Sequence, residues 1–222
     1  ILIGTAFIAA TFLFGNAMND SLARQTTAQL GGANYVISVD SSEGLNEQER
    51  NDIYTRTVND FQLDRIRATE GVKDVRVESS SSVTVANGDK HASSYAITTA
   101  AQRDLLPVSI IQGDQPVDGN EIALTKSVAD QLGVKVGDSV PVNSRTAQAV
   151  ASTGYGSAGN DTAADSGMTV RVVGITEDPN GAYAYYGGAS VLSDNVITAM
   201  NGIDDFGKLN VYLVYLDIDD AD

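Results

Sequence analysis

The chain has 222 residues, with 14 Lys and Arg against 29 Asp and Glu, so its formal net charge is −15. A chain of this length buries roughly 70% of its unfolded surface and folds without covalent staples. The negative field disfavours nucleic acid and anionic lipid surfaces as partners, and the absence of Cys excludes disulfides and thiolate metal sites.

The first 15 residues, ILIGTAFIAATFLFG, carry no charge. A signal peptide would begin with a basic segment and end at a small-residue cleavage site, and neither is visible. A buried core helix would show a polar face, which this stretch lacks. A full membrane span needs about 20 apolar residues. Because the chain also has no initiator Met, we interpret residues 1–15 as the outer part of a transmembrane helix that begins upstream.

A helix is predicted to leave the apolar zone at about Asn16 and to continue into water, because one stripe of side chains recurs every four residues from Phe14 to Leu30. Gly31 and Gly32 end it. Asn34 to Val39 then has the pattern of a strand. We therefore predict a stiff rod that runs from the membrane into a folded domain, although a passive stalk would have the same pattern.

The next part of the chain predicts a helix laid on a sheet. After a polar loop at 41–52, Val58, Phe61 and Ile66 have helical spacing, with Gly71 as the stop. Three strands with two-residue alternation follow. Asn87-Gly88 predicts a tight hairpin turn with positive φ at both residues. The predicted strands are 72–77, 81–86 and 91–99.

The segment EIALTKSVADQLGVKVGDSVPV, residues 121–142, predicts a strand, a very short helix and a second strand. Thr125 can cap the helix by accepting a backbone N–H, and Gly133 ends it. The predicted buried face of the helix is Val128, Ala129 and Leu132, and Val134 and Val136 are predicted to enter the core. The strand residues before and after are Ile122, Leu124, Val140 and Val142.

The last part of the chain is rich in strands and turns. Residues 143–167 are small and polar, as in a flexible hairpin loop or a contact tip. A strand at 168–176, a turn-rich stretch with three tyrosines, the strand ASVLS and a helix at 194–201 follow. The chain closes with a long strand in KLNVYLVYLDIDDAD.

No catalytic or metal-binding motif stands out. The only histidine, His91, is predicted to be a plain strand residue. A nucleophile elbow and phosphate-binding loops are absent, and a carboxylate pair of the glycosidase kind stays open. The acidic stretches 118–121 and 217–222 lack the ligand spacing of a calcium loop. Tyr183, Tyr185 and Tyr186 are expected to cover a sheet, with a ligand or partner patch as the alternative.

The segment Ile111 to Val142 carries a spaced pattern of Gly, Pro, acidic and apolar residues. A Gly-x-x-Pro-x-x-x-x-Glu approach precedes a short helix and an Ala-x-x-Leu-Gly-apolar-x-x-Gly-Asp-x-apolar turn. This pattern, with VRVVGIT at 170–176 and the order of the earlier elements, resembles the extracytoplasmic core of FtsX-like and MacB-like ABC transporter permeases. The matching residues are Gly113, Pro116, Glu121, Ala129, Leu132, Gly133, Gly137, Asp138 and Val140.

The turn by itself also resembles turns in double-psi barrels and AbrB-like swapped hairpins. The chain departs from the permease pattern at its end, where the family would supply a helix and a second membrane span. The resemblance implies an α+β fold. A porter-like mixed α/β subdomain, 16–100 and 205–222, would carry an inserted β-rich sabre-like subdomain, 101–204, with the transmembrane helix end at 1–15 before them.

The resemblance also implies a function without chemistry of its own. The chain would be the extracytoplasmic domain of an ABC permease subunit in the cell membrane, with no catalytic residue, cofactor or metal. Its partners would be a second permease subunit, identical or different, a cytoplasmic ABC ATPase and in some systems an accessory extracytoplasmic protein. The alternatives are an FtsX-type regulator of a cell-wall hydrolase, a membrane-anchored solute-binding or adhesion domain, and an anchored hydrolase.

Overall fold

The structure, a computed structural model, describes residues 27–38, 55–79, 81–146 and 168–219. Within these ranges ten strands form two sheets and three short α-helices pack on them, which confirms the predicted α+β class. The predicted membrane-embedded stretch 1–15 and most of the polar stretch 143–167 lie outside the described ranges. No helix within those ranges is long and apolar enough to cross a bilayer.

The described elements include the predicted strands, and they add a strand that was not predicted, at Ser109–Gly113. The strands are β1 (Tyr35–Ser38), β2 (Val72–Glu78), β3 (Ser81–Asn87), β4 (Lys90–Thr98), β5 (Ser109–Gly113), β6 (Glu121–Thr125), β7 (Ser139–Thr146), β8 (Met168–Glu177), β9 (Ala189–Leu192) and β10 (Leu213–Ile218). The helices are α1 (Leu63–Arg67), α2 (Lys126–Leu132) and α3 (Asp194–Met200), and short 3-10 turns lie at Arg103–Leu105, Ala184–Tyr186 and Phe206–Lys208.

The smaller sheet has three antiparallel strands in the order β1-β10-β2. Its central strand is β10, the last of the described strands, and its two edge strands are β1 and β2, from residues 35–38 and 72–78. This sheet therefore brings the two ends of the described chain together. Its strand β2 is buried along most of its length, on both faces.

The larger sheet has the order β5-β8-β6-β9-β4-β3-β7, and β8 also pairs with β7. Six of its strands therefore close into a ring, with β5 attached outside it along the second half of β8. The ring is filled by side chains at alternate strand positions, as strand geometry requires. These buried residues include Val83, Val85, Ile122, Leu124, Val140, Val142, Val170, Val172 and Leu192.

The compact unit 121–142 forms β6, α2 and β7 as predicted. Val128, Ala129 and Leu132 are buried, and Gly133 ends the helix in the left-handed region at φ +70°. One detail was wrong. Thr125 occupies the N-cap position, but its hydroxyl makes no capping bond, because it lies instead 3.5 Å from the hydroxyl of Ser127.

Two other local predictions need correction. The hairpin loop is Gly88-Asp89, because Asn87 pairs with Lys90, and of these residues only Gly88 has positive φ. The helix before β2 spans only Leu63–Arg67. Gln62 stops it from starting earlier, because its φ of 52° and ψ of 49° are left-handed. Val58 is nevertheless buried, and Phe61 and Ile66 pack against the core.

Candidate functional site at the helix–domain junction

Residues 27–34 join the predicted rod to the folded part of the chain, and we call them the junction segment. Residues 27–30 are the described end of the helix. The backbone carbonyl of Gln29 accepts from Arg76 Nη2 at 3.0 Å. The side-chain Nε2 of Gln29 donates to the carbonyl of Ala182 at 3.3 Å. Because Arg76 lies on β2 and Ala182 lies in the loop between β8 and β9, one residue of the helix is bonded both to the smaller sheet and to a loop that connects two strands of the larger sheet.

The rest of the junction segment is held by a backbone bond of Gly32 and by the side chain of Asn34. Gly32 N donates to the Asp104 carbonyl at 2.8 Å, in the 3-10 turn between β4 and β5. The Asn34 side chain imitates a strand partner: its Nδ2 donates to the Ile218 carbonyl at 2.6 Å and its Oδ1 accepts from Ile218 N at 2.9 Å. Ala28 and Ala33 are buried in an apolar cluster with side chains from both sheets.

A buried ion pair lies directly beneath the junction segment. Arg76 is 0% exposed and its Nη1 donates to Glu78 Oε2 at 2.5 Å. The two residues are two positions apart on β2 and so point to the same face. The guanidinium also lies 4.1 Å from the centroid of the Tyr215 ring, its neighbour in the antiparallel register. Burial lowers the pKa of Arg76 and the Glu78 carboxylate raises it, with a net upward direction, so the guanidinium is charged.

Tyrosines extend this pair into a polar network. Tyr183 Oη donates to Glu78 Oε1 at 3.0 Å. Tyr95 Oη donates to the Ser79 carbonyl at 2.9 Å and lies 2.8 Å from Tyr212 Oη. The rings of Tyr95 and Tyr183 stack with centroids 4.9 Å apart. The network thus connects β2, β4, the loop before β9 and the start of β10, and it rigidifies the region where the helix meets both sheets.

The free energy of unfolding is expected to fall as the pH rises above about 10, the ordinary pKa of tyrosine. Burial raises the pKa of Tyr215 to about 12 and raises the pKa of Tyr95, Tyr183 and Tyr212. The folded state therefore keeps protons that the unfolded state releases, and stability is lost as the pH rises toward the folded pKa values. Each such tyrosine contributes about 1.4 kcal/mol per pH unit.

Urea unfolding at several pH values between about 9 and 11 measures this slope. Tyr183→Phe should reduce the slope by about one tyrosine's share, and Tyr185→Phe, at a position 67% exposed, is the matched control. A stability that stays constant through this pH range would contradict the burial of these hydroxyls in a single network.

The nine predicted motif residues lie on β5, β6, α2, β7 and the links between these elements. Gly113 ends β5 at φ +70°, and a Cβ there would overlap the Val173 carbonyl. Gly137 N donates to the Val172 carbonyl and Val172 N donates to the Asp138 carbonyl, both at 2.8 Å. Asp138 Oδ2 accepts from Lys135 N at 2.9 Å. Pro116, Glu121, Ala129, Leu132, Gly133 and Val140 complete the set, at or beside β6, α2 and β7.

The other sequence candidates are dispersed. His91 lies exposed on β4. Within the described ranges, no three His, Asp or Glu residues are grouped so that they could hold a metal ion. Tyr183 is buried, Tyr186 is half-buried and Tyr185 is exposed. Of the acidic stretch 217–222, only Asp217, Ile218 and Asp219 fall within the described residues.

Arg76 and Glu78 were not among the residues predicted to matter. The segment VKDVRVE alternates apolar and charged residues, and such a pattern normally means that the charged face meets water. The predicted rod is the signal that could have indicated them. A helix that enters the folded domain must pack on one face of a sheet, and it would bury the charged side chains on that face.

The chain is similar to known proteins in sequence and in structure. The family model of the MacB-like periplasmic core domain matches residues 1–220, and no curated protein matches the chain. The chain is similar in structure to the extracellular domain of the noncanonic ABC-type transporter YknZ from Gram-positive bacteria, at 15% identity and a TM-score of 0.51 over 84% of this chain and 83% of that one. A domain of a candidate permease protein from Porphyromonas gingivalis matches at 12% identity and a TM-score of 0.37, over 71% of this chain and 67% of that chain. On the family match, the chain belongs to the MacB-like periplasmic core domain family, a component of ABC transporter permeases.

Proposed function

We propose that the chain is the extracytoplasmic domain of an ABC permease subunit that couples cytoplasmic ATP hydrolysis to export or extraction of a substrate. It does so by moving, without conducting the substrate through a channel and without a catalytic step of its own. The family match over residues 1–220 supports this proposal. The observation that carries it is the junction segment, which is bonded to the smaller sheet, to the loop before β9 and to the 3-10 turn between β4 and β5.

Transmission of movement needs a connection that does not bend. The predicted helix would be stiff along its axis, so a displacement at its membrane end would arrive at residues 27–30 with little loss. There, Gln29, Gly32 and Asn34 are each tied to a different element of the fold. With three separate attachments, the folded part must follow the helix both in translation and in tilt.

The proposal includes the partners that such a movement requires. A cytoplasmic ABC ATPase would act on the membrane part of the permease, and a second permease subunit, identical or different, would provide the surface against which the domain works. An accessory extracytoplasmic protein would receive or deliver the substrate in some systems. The folded domain would lie on the extracytoplasmic side of the cell membrane, anchored through residues 1–15.

We also propose that the domain has two parts, with the motif residues as a rigid corner of the second. The predicted division was 16–100 with 205–222 against an insert at 101–204. Because β3 and β4 pair inside the six-stranded ring, the strand pairing favours a first boundary near residue 80 in place of residue 100. Gly113, Gly137 and Asp138 would then hold β5 and the turn before β7 against β8.

Affinity purification of the full-length protein from its native membrane tests the proposal. We expect a separate ATPase subunit to be recovered with it, and ATP hydrolysis by the complex in lipid to respond to the transported substrate. Recovery of a cell-wall hydrolase bound to the outer domain would instead favour the regulatory alternative. A parent polypeptide with one membrane span and no bound ATPase would contradict the proposal and favour an anchored solute-binding or adhesion protein.

A further inference from the structure

Three Asn-Gly pairs occur in the sequence, at 87–88, 180–181 and 201–202. An Asn followed by Gly is chemically labile in water, because the backbone nitrogen of the next residue can attack the side-chain amide carbon and Gly has no side chain to block the approach. All three Asn residues are exposed, so exposure does not distinguish them. The pairs differ in how firmly the fold holds each Asn.

Two of the three side-chain amides are anchored. Asn87 Nδ2 donates to the Leu132 carbonyl at 3.0 Å, and the backbone of Asn87 is paired with Lys90 at the end of β3. Asn201 Nδ2 donates to the Ile197 carbonyl at 2.8 Å, at the end of α3. Attack on either amide requires that this bond break and that the Asn backbone rotate out of the strand or the helix end.

The third amide is held less firmly. Asn180 lies in the turn after β8, and no hydrogen bond joins its side chain to another described residue. The turn is closed by the bond from Gly181 N to the Asp178 carbonyl, which at 3.3 Å is longer than the usual range for an amide donor. Of the three Asn side chains, this one alone has no anchor among the described residues.

The loop that contains Asn180 is connected to the junction segment. The Asp178 carboxylate accepts from Ala182 N at 2.9 Å and from Tyr183 N at 2.6 Å, so it spans residue 180. Ala182 and Tyr183 are both buried. They provide the carbonyl that accepts from the helix end and the hydroxyl that donates to Glu78. A change in backbone length at residue 180 would therefore act on two contacts at the junction.

We propose that Asn180 is a site of spontaneous deamidation and that the isoaspartate formed there loosens the loop at the junction segment. In the first step, Gly181 N bonds to Asn180 Cγ and the Cγ–Nδ2 bond breaks, so that Nδ2 leaves as ammonia with the proton from Gly181 N. Water then opens the five-membered succinimide. Opening at the bond from Cγ to the nitrogen gives Asp. Opening at the bond from the main-chain carbonyl carbon gives isoaspartate, whose backbone runs through Cγ and is longer by one CH2 group.

The longer backbone acts through the Asp178 carboxylate. With one more main-chain atom between Asp178 and Ala182, the carboxylate can no longer accept from both backbone amides in the same geometry. Each of these bonds has an ionised acceptor and is therefore stronger than a neutral one. Asp at residue 180 adds the same negative charge without lengthening the backbone. The two products of the reaction thus separate the effect of charge from the effect of backbone length.

Peptide mapping of aged protein tests the site. The complete 222-residue chain is kept in neutral detergent at neutral pH for several weeks, either folded or unfolded in guanidinium chloride, and is then cleaved with trypsin. Asn87 falls in the peptide 77–90, and Asn180 and Asn201 fall in 172–208, where fragmentation separates them. In the unfolded chain the three should deamidate at similar rates. In the folded chain Asn180 should deamidate about three- to tenfold faster than either of the others, the factor in rate that one hydrogen bond supplies.

Asn180→Gln is the matched variant, because attack on the longer side chain must close a six-membered ring. It should remove the gain of mass at residue 180 while Asn87 and Asn201 react as before. The deamidated native chain has one more negative charge and is isolated by ion exchange, with Asn180→Asp as its control. In peptides that contain isoaspartate, the amides of Ala182 and Tyr183 should exchange hydrogen for deuterium about tenfold faster or more than in Asn180→Asp.

Equal rates at the three positions in the folded chain, or no reaction at Asn180, would overturn the site. Hydrogen exchange in the isoaspartate peptides equal to that of Asn180→Asp would overturn its connection to the junction segment. Either failure would leave the proposed permease function untouched, because that function rests on the bonds of the junction segment and on the family match.

Discussion

Replacing Arg76 with Met is expected to lower the free energy of unfolding by about 3–5 kcal/mol. Arg76 and Glu78 are both almost fully buried, so the substitution leaves the Glu78 carboxylate without its cation and far from water. It also removes the bond to the Gln29 carbonyl, which detaches the helix end from β2. Urea unfolding followed by circular dichroism measures the loss.

The double variant Arg76→Met with Glu78→Gln is the control. Gln at position 78 keeps an oxygen that can accept from Tyr183, whose hydroxyl donates to Glu78 in the native chain. Removing both charges of a buried pair is often close to neutral, so the double variant should regain most of the lost stability. If Arg76→Met alone and Glu78→Gln alone each have the same free energy of unfolding as the native chain, the two charges are not buried together in the folded state.

Gly32→Ala is expected to cost about 2–3 kcal/mol of stability and to open the junction. A Cβ at residue 32 would lie 2.5 Å from the Asp104 carbonyl oxygen, the atom to which Gly32 N donates. The Cβ is fixed to the backbone of residue 32 and the atom that it meets is a backbone oxygen, so no flexible side chain can move away. In the assembled transporter, ATP hydrolysis should continue while transport falls, because the helix no longer carries the domain with it.

Gly202→Ala is the matched control for this prediction. A Cβ at Gly202 meets nothing within 4 Å, and only its φ of 66° disfavours a side chain, which costs about 1–2 kcal/mol. Because that residue lies after α3 and away from the junction segment, transport should stay coupled to hydrolysis. Equal coupling in Gly32→Ala and the native protein would show that the close approach at residue 32 has no role in transmission.

Local structure was predictable where it depends on neighbouring residues. Apolar spacing and the Gly residues at its corners located β6, α2 and the start of β7 to within a residue or two. The end of β7 was predicted too early, because the strand runs to Thr146, into the stretch that was expected to form a loop. The predicted loop at Asn87-Gly88 was one residue early, because Asn87 instead extends β3 and its side chain donates to the Leu132 carbonyl. That contact joins residues 45 positions apart, and no local pattern contains it.

The closed ring and the junction were not predictable in this way. Closure depends on β7 pairing with β3 and β8, and each of these strands also fits an open sheet by its alternation. Arg76 and Glu78 have the spacing of a solvent-exposed strand face. Residues distant in the chain cover them: the Gln29 carbonyl and the Tyr215 ring contact Arg76, and Tyr183 donates to Glu78.

The central claim is that the end of the helix and the folded domain move as one rigid body. Because these 222 residues contain no Cys, a spin-label pair at Thr27→Cys and Asp89→Cys can be introduced into the full-length permease, whose remaining cysteines are first replaced. Labelled copies are diluted with unlabelled ones, reconstituted in lipid with the ATPase, and measured by pulsed electron resonance with and without ATP. Rigid coupling predicts the same narrow distance between residues 27 and 89 in both states. In a second sample, labelled only at Asp89→Cys and not diluted, the distance between residues 89 of two neighbouring copies should change. A distance from 27 to 89 that shifts or broadens when ATP binds would contradict it.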